Sequence, residues 1–293
     1  MTDKKHNFIV RAITSVLFVI IVIGFTIWDP ISFDLLFGII TAMTIWEFCT
    51  IVNKNADLQV NRLITTVAGV YLFYAVMAFN MNICGSEIFI PYLVSIMYLM
   101  ISELYFDRKN SIYNWAFALM AQLYIALPFA LLNTLSFIAV PRSWDMPQPI
   151  YTPVVTLSMF IFLWCSDAGA YCVGSLIGKN KLFPRISPGK SWEGSIGGGL
   201  IAIIVSLIIY YITNKYQIPA PLDSQIKWIG MAIVVVVFGT WGDLVESLLK
   251  RKLGIKDSGH ILPGHGGMLD RFDSTLMAIP AVVVYLYTLS SFS

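Results

Sequence analysis

Asp243, Glu246, Ser247 and Lys250 stand at i, i+3, i+4 and i+7 near the end of an otherwise apolar segment. That spacing puts all four on one face of a helix. A second acidic pair, Asp270 and Asp273, follows at i, i+3. A carboxylate at the end of an apolar span is costly unless it is paired or liganded. Two such pairs facing each other make a hard, oxygen-rich site suited to Mg²⁺. Taken singly, Asp243 or Asp270 reads equally well as an interfacial carboxylate bonded to a nearby Lys or Arg. Taken together, with a glycine-rich turn between them, they favour liganding. That turn, Gly264-His265-Gly266-Gly267, is entered through Pro263. Its glycines let backbone N–H groups approach a ligand closely, and such concavities bind phosphate. A tight polar turn would use the same residues.

Two further polar patches lie upstream. The segment 178–194 carries Lys179, Lys181, Arg185 and Lys190 among Ser187, Pro188, Gly189, Ser191, Trp192 and Glu193. Lys181, Arg185 and Lys190 suit phosphates, a solvated basic loop is the alternative, and Ser191 to Glu193 suit a helix start. The Gly189-Lys190-Ser191 string is not a nucleotide-binding P-loop, because Pro184 stands where that motif needs its first glycine. The third patch is Cys165-Ser166-Asp167-Ala168-Gly169, inside an apolar run. An ionised Asp at a helix centre costs about 2.5–3.5 kcal/mol on insertion scales, so Asp167 is expected to face a protein interior or a water-filled cavity. Gly169 and Gly174 allow close helix packing there. Glu47, in an earlier apolar run, either lines the same cavity or serves hydrogen-bonded packing.

The elements that must position these groups are membrane helices. Hydrophobic residues make up 57% of the 293 residues and charged residues 12%, against about 25% charged in an ordinary soluble domain. Nine segments have the roughly 20 apolar residues a span requires: 12–28, 31–52, 63–79, 88–106, 112–136, 152–177, 195–212, 227–248 and 274–290. The fold expected is all-α and polytopic, with a kink at Pro128. Residues 1–150 form an N-terminal set of spans, and 151–293 a catalytic set carrying the polar patches. The N-terminal run lacks a cleavage site and reads as a retained first span. Trp28, Trp144 and Trp228 read as interfacial anchors. With the N-terminus inside, 16 of the 19 Lys and Arg fall inside and Arg142, Lys215 and Lys227 outside, as the positive-inside rule requires. Both loop patches then lie inside. Cys49, Cys84, Cys165 and Cys172 form no CxxC pair, so they read as small core residues rather than a disulfide framework or zinc site. No internal repeat or low-complexity stretch is visible.

The run from Ser247 to Ser274 resembles the signature of the phosphatidate cytidylyltransferases. It matches at Ser247, Lys250, Arg251, Lys256, Asp257, Pro263, Gly264, His265, Gly266, Gly267, Asp270, Arg271 and Asp273. Ser166-Asp167, Ala170-Tyr171, Gly174 and the run from Ser187 to Gly194 are similar to upstream motifs of that family, in the same order. One departure is Gly189, where the family often has a second Lys. The resemblance at motif level covers about 150 to 274.

The resemblance implies a polytopic, dimeric enzyme that joins CTP to phosphatidic acid, using Mg²⁺ with K⁺ as a possible second ion. Asp243 and Asp270 are then the metal ligands, with Asp273 and Asp167 in support or at a second ion. Lys250, Arg251, Lys256, Asp257, His265 and Arg271 fall to the catalytic set. Lys190, Ser187, Glu193, Gly264, Gly266 and Gly267 fall to substrate binding. The expected partners are CTP, phosphatidic acid and membrane lipids, with no nucleic acid, and the expected place is the inner (plasma) membrane with the site facing the cytoplasm. Two rivals remain: an ion-coupled transporter, which would show repeats and a midplane site, and a CTP-dependent lipid kinase.

Overall fold

The computed structural model describes all residues except Met1, Asp107, 141–147, 260–265 and 292–293; for 2–12, Asn55, 139–140 and Gln148 it describes the backbone alone. Local sequence sets the helix boundaries. Asp29 caps α2 by accepting from Ile31 N at 2.9 Å, Ser32 Oγ in turn accepts from Asp29 N, and Pro30 occupies the first turn. Pro at that position loses no needed donor. Asn61 caps α3 through Ile64 N at 3.2 Å, and Ser191 caps α8 through Gly194 N at 3.2 Å.

The helices are α1 (Thr2–Trp28), α2 (Pro30–Asn55), α3 (Arg62–Asn80), α4 (Ile90–Phe106), α5 (Ser111–Met120), α6 (Leu127–Ser136), α7 (Val154–Ile177), α8 (Trp192–Lys215), α9 (Gln225–Lys252) and α10 (Leu269–Ser291). A π-helical stretch, Ala121–Ala126, joins α5 to α6 just before Pro128. The wide turn takes up the i−4 bond and the ring clash that the proline would otherwise force on a regular helix. Among the described residues, eight segments are long and apolar enough to cross a membrane. The first expected span, 12–28, lies in α1, whose described apolar part is the shorter Ile13–Trp28. The chain is an integral membrane protein of helices. Strands are few: β1 (Phe137–Val140) and β2 (Gln148–Tyr151) flank 141–147, and β3 (Lys181–Phe183) pairs antiparallel with β4 (Ser187–Ser191). The basic segment expected as a loop is thus a hairpin, with Lys181 opposite Ser191 and Phe183 opposite Ser187.

The chain divides into two units. The first takes 1–133, 141–149 and 252–272. Its core is aromatic: Phe272 meets Phe18, Phe37 and Phe129 edge-on, with ring centres 5.7, 6.4 and 5.3 Å apart. Such edge-to-face pairs add to the burial of the rings themselves. One buried acid of this unit is fully matched: Glu103 takes Arg108 at 2.6 Å and Asn114 at 2.9 Å.

The second unit takes 134–140, 150–251 and 273–293. Its helices α7 and α8 meet along a glycine seam. A Cβ on Gly169 would lie 3.1 Å from Gly198 Cα, and one on Gly194 2.7 Å from Ala170 O. The seam expected at Gly169 and Gly174 exists, completed by glycines of α8. Similarly, a Cβ on Gly242 of α9 would lie 2.6 Å from Asp273 O of α10. Trp228 is not an interfacial anchor: it is fully buried, and its indole N–H donates to Leu222 O at 3.2 Å. Trp28 is exposed, and Trp144 lies outside the described residues.

Candidate functional site

The four residues on one face of α9 pair among themselves and with their neighbours. Ser247 Oγ donates to Asp243 Oδ1 at 3.1 Å, and Lys250 Nζ meets Glu246 Oε2 at 2.5 Å. Because Gly242 lets α10 approach so closely, Asp273 joins them. Ligand atoms of Asp243, Glu246 and Asp273 all lie within 4.8 Å of one another. Glu246 is fully buried, while Asp243 and Asp273 are partly exposed. Three carboxylates so close repel strongly, by roughly 4 kcal/mol per pair of unit charges at 4 Å and an effective dielectric of 20. Cations must offset this, and two lysines do so here: Lys250 on Glu246 and Lys190 on Asp243, the latter also at 2.5 Å. The three carboxylates are hard oxygen donors, the set a divalent cation prefers.

Lys190 connects this cluster to a cavity. It stands in β4, immediately before the cap of α8, and lines a cavity of about 350 Å³ with Ser166, Asp167, Tyr171, Ser195 and Thr240. The glycine seam holds α7 against α8 and so brings Asp167 to this cavity. Asp167 is exposed and lines this cavity rather than being packed in protein, as an acid within a span requires. Asp167 lies in electrostatic range of Asp243, Asp273 and Lys190. An apolar groove of about 390 Å³ adjoins the cavity, lined by Phe183, Trp192, Ile196, Ile203, Ile233 and Trp241. Ser195, Val236 and Thr240 line both.

Asp270 has other hydrogen-bond partners in the first unit. Its Oδ2 accepts from Ser258 N at 2.8 Å, Gly267 N at 2.8 Å and Ser258 Oγ at 2.9 Å. Gly266 adopts a left-handed φ of +79°, as a glycine turn allows. The donors of this turn do face anions, but the anions at 267–269 are the chain's own carboxylates: Gly267 N serves Asp270, while Met268 N and Leu269 N serve Glu47. Gly264 and His265 lie outside the described residues.

The remaining expected residues are distributed as follows. Arg251, Lys256 and Asp257 are exposed, and Arg271 is half-buried at the start of α10. Ser187 sits half-buried in β4. Glu193 accepts from Lys179 N, Asn180 N and Asn180 Nδ2, the last at 2.7 Å, so its carboxylate shapes the turn before β3. Glu246 and Ser258 stand outside the residues expected from sequence to bind or react. Glu246 was signalled by its i+3 spacing from Asp243. Ser258, which bonds both Glu47 and Asp270, carries no signal: a serine in a polar loop is unremarkable until its partners are known.

A helical membrane protein with an acidic, lysine-flanked cluster beside a charged cavity is suited to phosphate chemistry at a bilayer. The sequence profile of the Cytidylyltransferase family matches residues 9–289, and the chain belongs to that family. Its relatives include the phosphatidate cytidylyltransferase of Haemophilus influenzae, 30% identical over 87% of this chain and 89% of that protein. Those of Staphylococcus aureus and Staphylococcus haemolyticus are 36% and 34% identical, over 66% and 69% of this chain and 68% and 70% of theirs.

Proposed function

We propose that this chain transfers the cytidylyl group of CTP to phosphatidic acid, giving CDP-diacylglycerol and pyrophosphate. The observation that carries this reading is the shared wall between the charged cavity and the apolar groove. That pairing fits an amphiphile whose phosphate lies by Lys190 and whose acyl chain follows the groove. Membership of the family and the names of its relatives point the same way.

A phosphate oxygen of the lipid attacks the α-phosphorus of CTP, and the bond from that phosphorus to the oxygen bridging to the β-phosphate breaks. The lipid phosphate is already ionised near neutral pH, so no side chain need remove a proton. What the protein must supply is positive charge and alignment. Lys190 and Lys250 stand at the cluster for that purpose, and Arg251, Lys256 and Arg271 add charge along the signature. Asp243, Glu246 and Asp273 would hold a divalent cation, Mg²⁺ in this reading, with K⁺ as a possible second ion. When bound, that cation offsets the negative charge of the phosphates and draws electrons from the reacting phosphorus. Asp167 would help orient Lys190 electrostatically from the wall of the cavity. The catalytic half is 151–293, in a homodimer of the inner (plasma) membrane, with the lysine-rich side facing cytoplasmic CTP.

The test uses purified protein, CTP labelled with ³²P at the α-phosphate, phosphatidic acid and Mg²⁺. The expected product is a labelled lipid with unlabelled pyrophosphate. Label remaining in CDP would instead establish a lipid kinase, and no labelled product would remove both enzyme readings.

A further inference from the structure

Glu47 lies in α2, about two-thirds of the way along an apolar span and two hundred residues before the signature begins. Its burial is nearly complete at 6% exposure, and an ionised carboxylate there is costly unless compensated. The compensation is local and specific. Glu47 Oε2 accepts from Met268 N at 2.9 Å, and Oε1 accepts from Leu269 N at 3.2 Å and from Ser258 Oγ. Met268 and Leu269 open α10, where the first N–H groups have no partner within the helix and the dipole favours an anion. Glu47 is thus the cap of α10, supplied by a distant helix. The fit needs bare backbone: a Cβ on Gly267 would run into this carboxylate, and one on Gly259 would lie 2.9 Å from Oε2.

Ser258 carries the contact onward. Its hydroxyl has one proton and two carboxylate oxygens in reach, Glu47 Oε1 and Asp270 Oδ2. Its backbone N–H also holds Asp270, as does that of Gly267. We infer that Glu47 is a positioning residue for the transfer reaction, fixing Ser258, Gly267 and the first turn of α10 so that Asp270 is presented in one orientation. The inference rests on the function proposed above and on the expectation, from the resemblance, that Asp270 is a metal ligand. Groups that orient a metal ligand from behind are typically worth 10–100-fold in metal affinity or activity.

The experiment compares wild type, Glu47→Gln, Ser258→Ala and Asp270→Asn in detergent. It measures kcat, KM for each substrate, half-saturating Mg²⁺, melting temperature, and amide exchange at Gly267, Met268 and Leu269 without metal. In Glu47→Gln, one acceptor oxygen is replaced by a donor that faces another donor. The expected result is a kcat lower by about 10–100-fold, nearly unchanged KM values, raised half-saturating Mg²⁺ and faster exchange at those three amides. Ser258→Ala is expected to move the same quantities less, and the double variant to lose less than the two effects combined. Should Glu47→Gln fail to fold, Ser258→Ala carries the test alone. The inference is overturned if these variants keep wild-type kcat while Asp270→Asn loses it. It is equally overturned if activity falls only with melting temperature, at unchanged Mg²⁺ dependence and amide exchange. A wild-type protein making no labelled lipid overturns the parent reading instead.

Discussion

The two carboxylate clusters are held in opposite ways. In the second unit, Asp243 and Glu246 are each matched by a lysine, Lys190 and Lys250. In the first unit, Glu47 and Asp270 are held by the hydroxyl of Ser258 and by the backbone N–H groups of 258, 267, 268 and 269. A lysine is a mobile point charge on a flexible stem, able to leave one anion for another. A backbone N–H is fixed by the chain. The first arrangement suits groups that change partners during a reaction, since a lysine can pass from a carboxylate to a phosphate. The second suits a scaffold that must not move.

The comparison breaks most decisively at Asp243. Asp243→Asn keeps shape and the bond from Ser247 but gives up the charge, and the expected loss in kcat is on the order of 10²–10³-fold, the scale of one electrostatic group at a transition state. Melting should barely change, because the lysine partner is partly exposed. More than a tenth of wild-type turnover in a well-folded variant would show that the lysine-paired cluster is structural after all.

Lys190 sharpens the distinction between exchange and anchoring. Lys190→Gln should lower kcat/KM by roughly 10–100-fold, and Lys190→Arg should recover only part of it, since a planar guanidinium does not replace a compact ammonium. Full activity in Lys190→Gln would confine Lys190 to its ion pair with Asp243.

Both clusters depend on close backbone approach, which gives a smaller effect read in stability. A Cβ on Gly198 would strike Ser166 O and lie 3.1 Å from Ala170 N, in the seam that presents Asp167. Gly198→Ala should cost about 1–3 kcal/mol, as overpacking does, measured as a lower melting temperature. An unchanged melting curve would mean that the seam is looser than these distances require.

How much of this was legible in the sequence follows from the range of each interaction. The face of Asp243, Glu246, Ser247 and Lys250 was readable because i, i+4 neighbours are fixed by helix geometry alone, and the structure pairs 243 with 247 and 246 with 250. The break at Asp29-Pro30, between the spans 12–28 and 31–52, was readable because its capping contacts are equally local. The hairpin of β3 and β4 was not, since its strands are three and five residues long and too short to show alternation. Glu47 remained open between cavity and packing because its partners lie 211–222 residues away. The glycine turn shows the same limit. Its chemistry, N–H groups aimed at an anion, was visible at 266–267, but not that carboxylates of this chain would take those donors.

The smallest expected effect concerns the apolar groove, proposed above to hold the acyl chain rather than to react. Gly199 lines it, and a Cβ there would lie 3.7 Å from Val236 Cγ1, an ordinary contact. Gly199→Leu can therefore extend into the groove without moving α8, and leucine favours a helix over glycine by nearly 1 kcal/mol. The side chain would displace about three or four methylenes of an acyl chain, each worth about 0.8 kcal/mol when buried. Much of that is regained because the displaced chain stays in lipid rather than entering water, so KM for long-chain phosphatidic acid should rise only about two- to fivefold. A short-chain phosphatidic acid that does not reach the groove should show no change, and neither should CTP. An equal rise for short and long chains would mean that the groove does not take the lipid tail, and that the cavity alone selects the substrate.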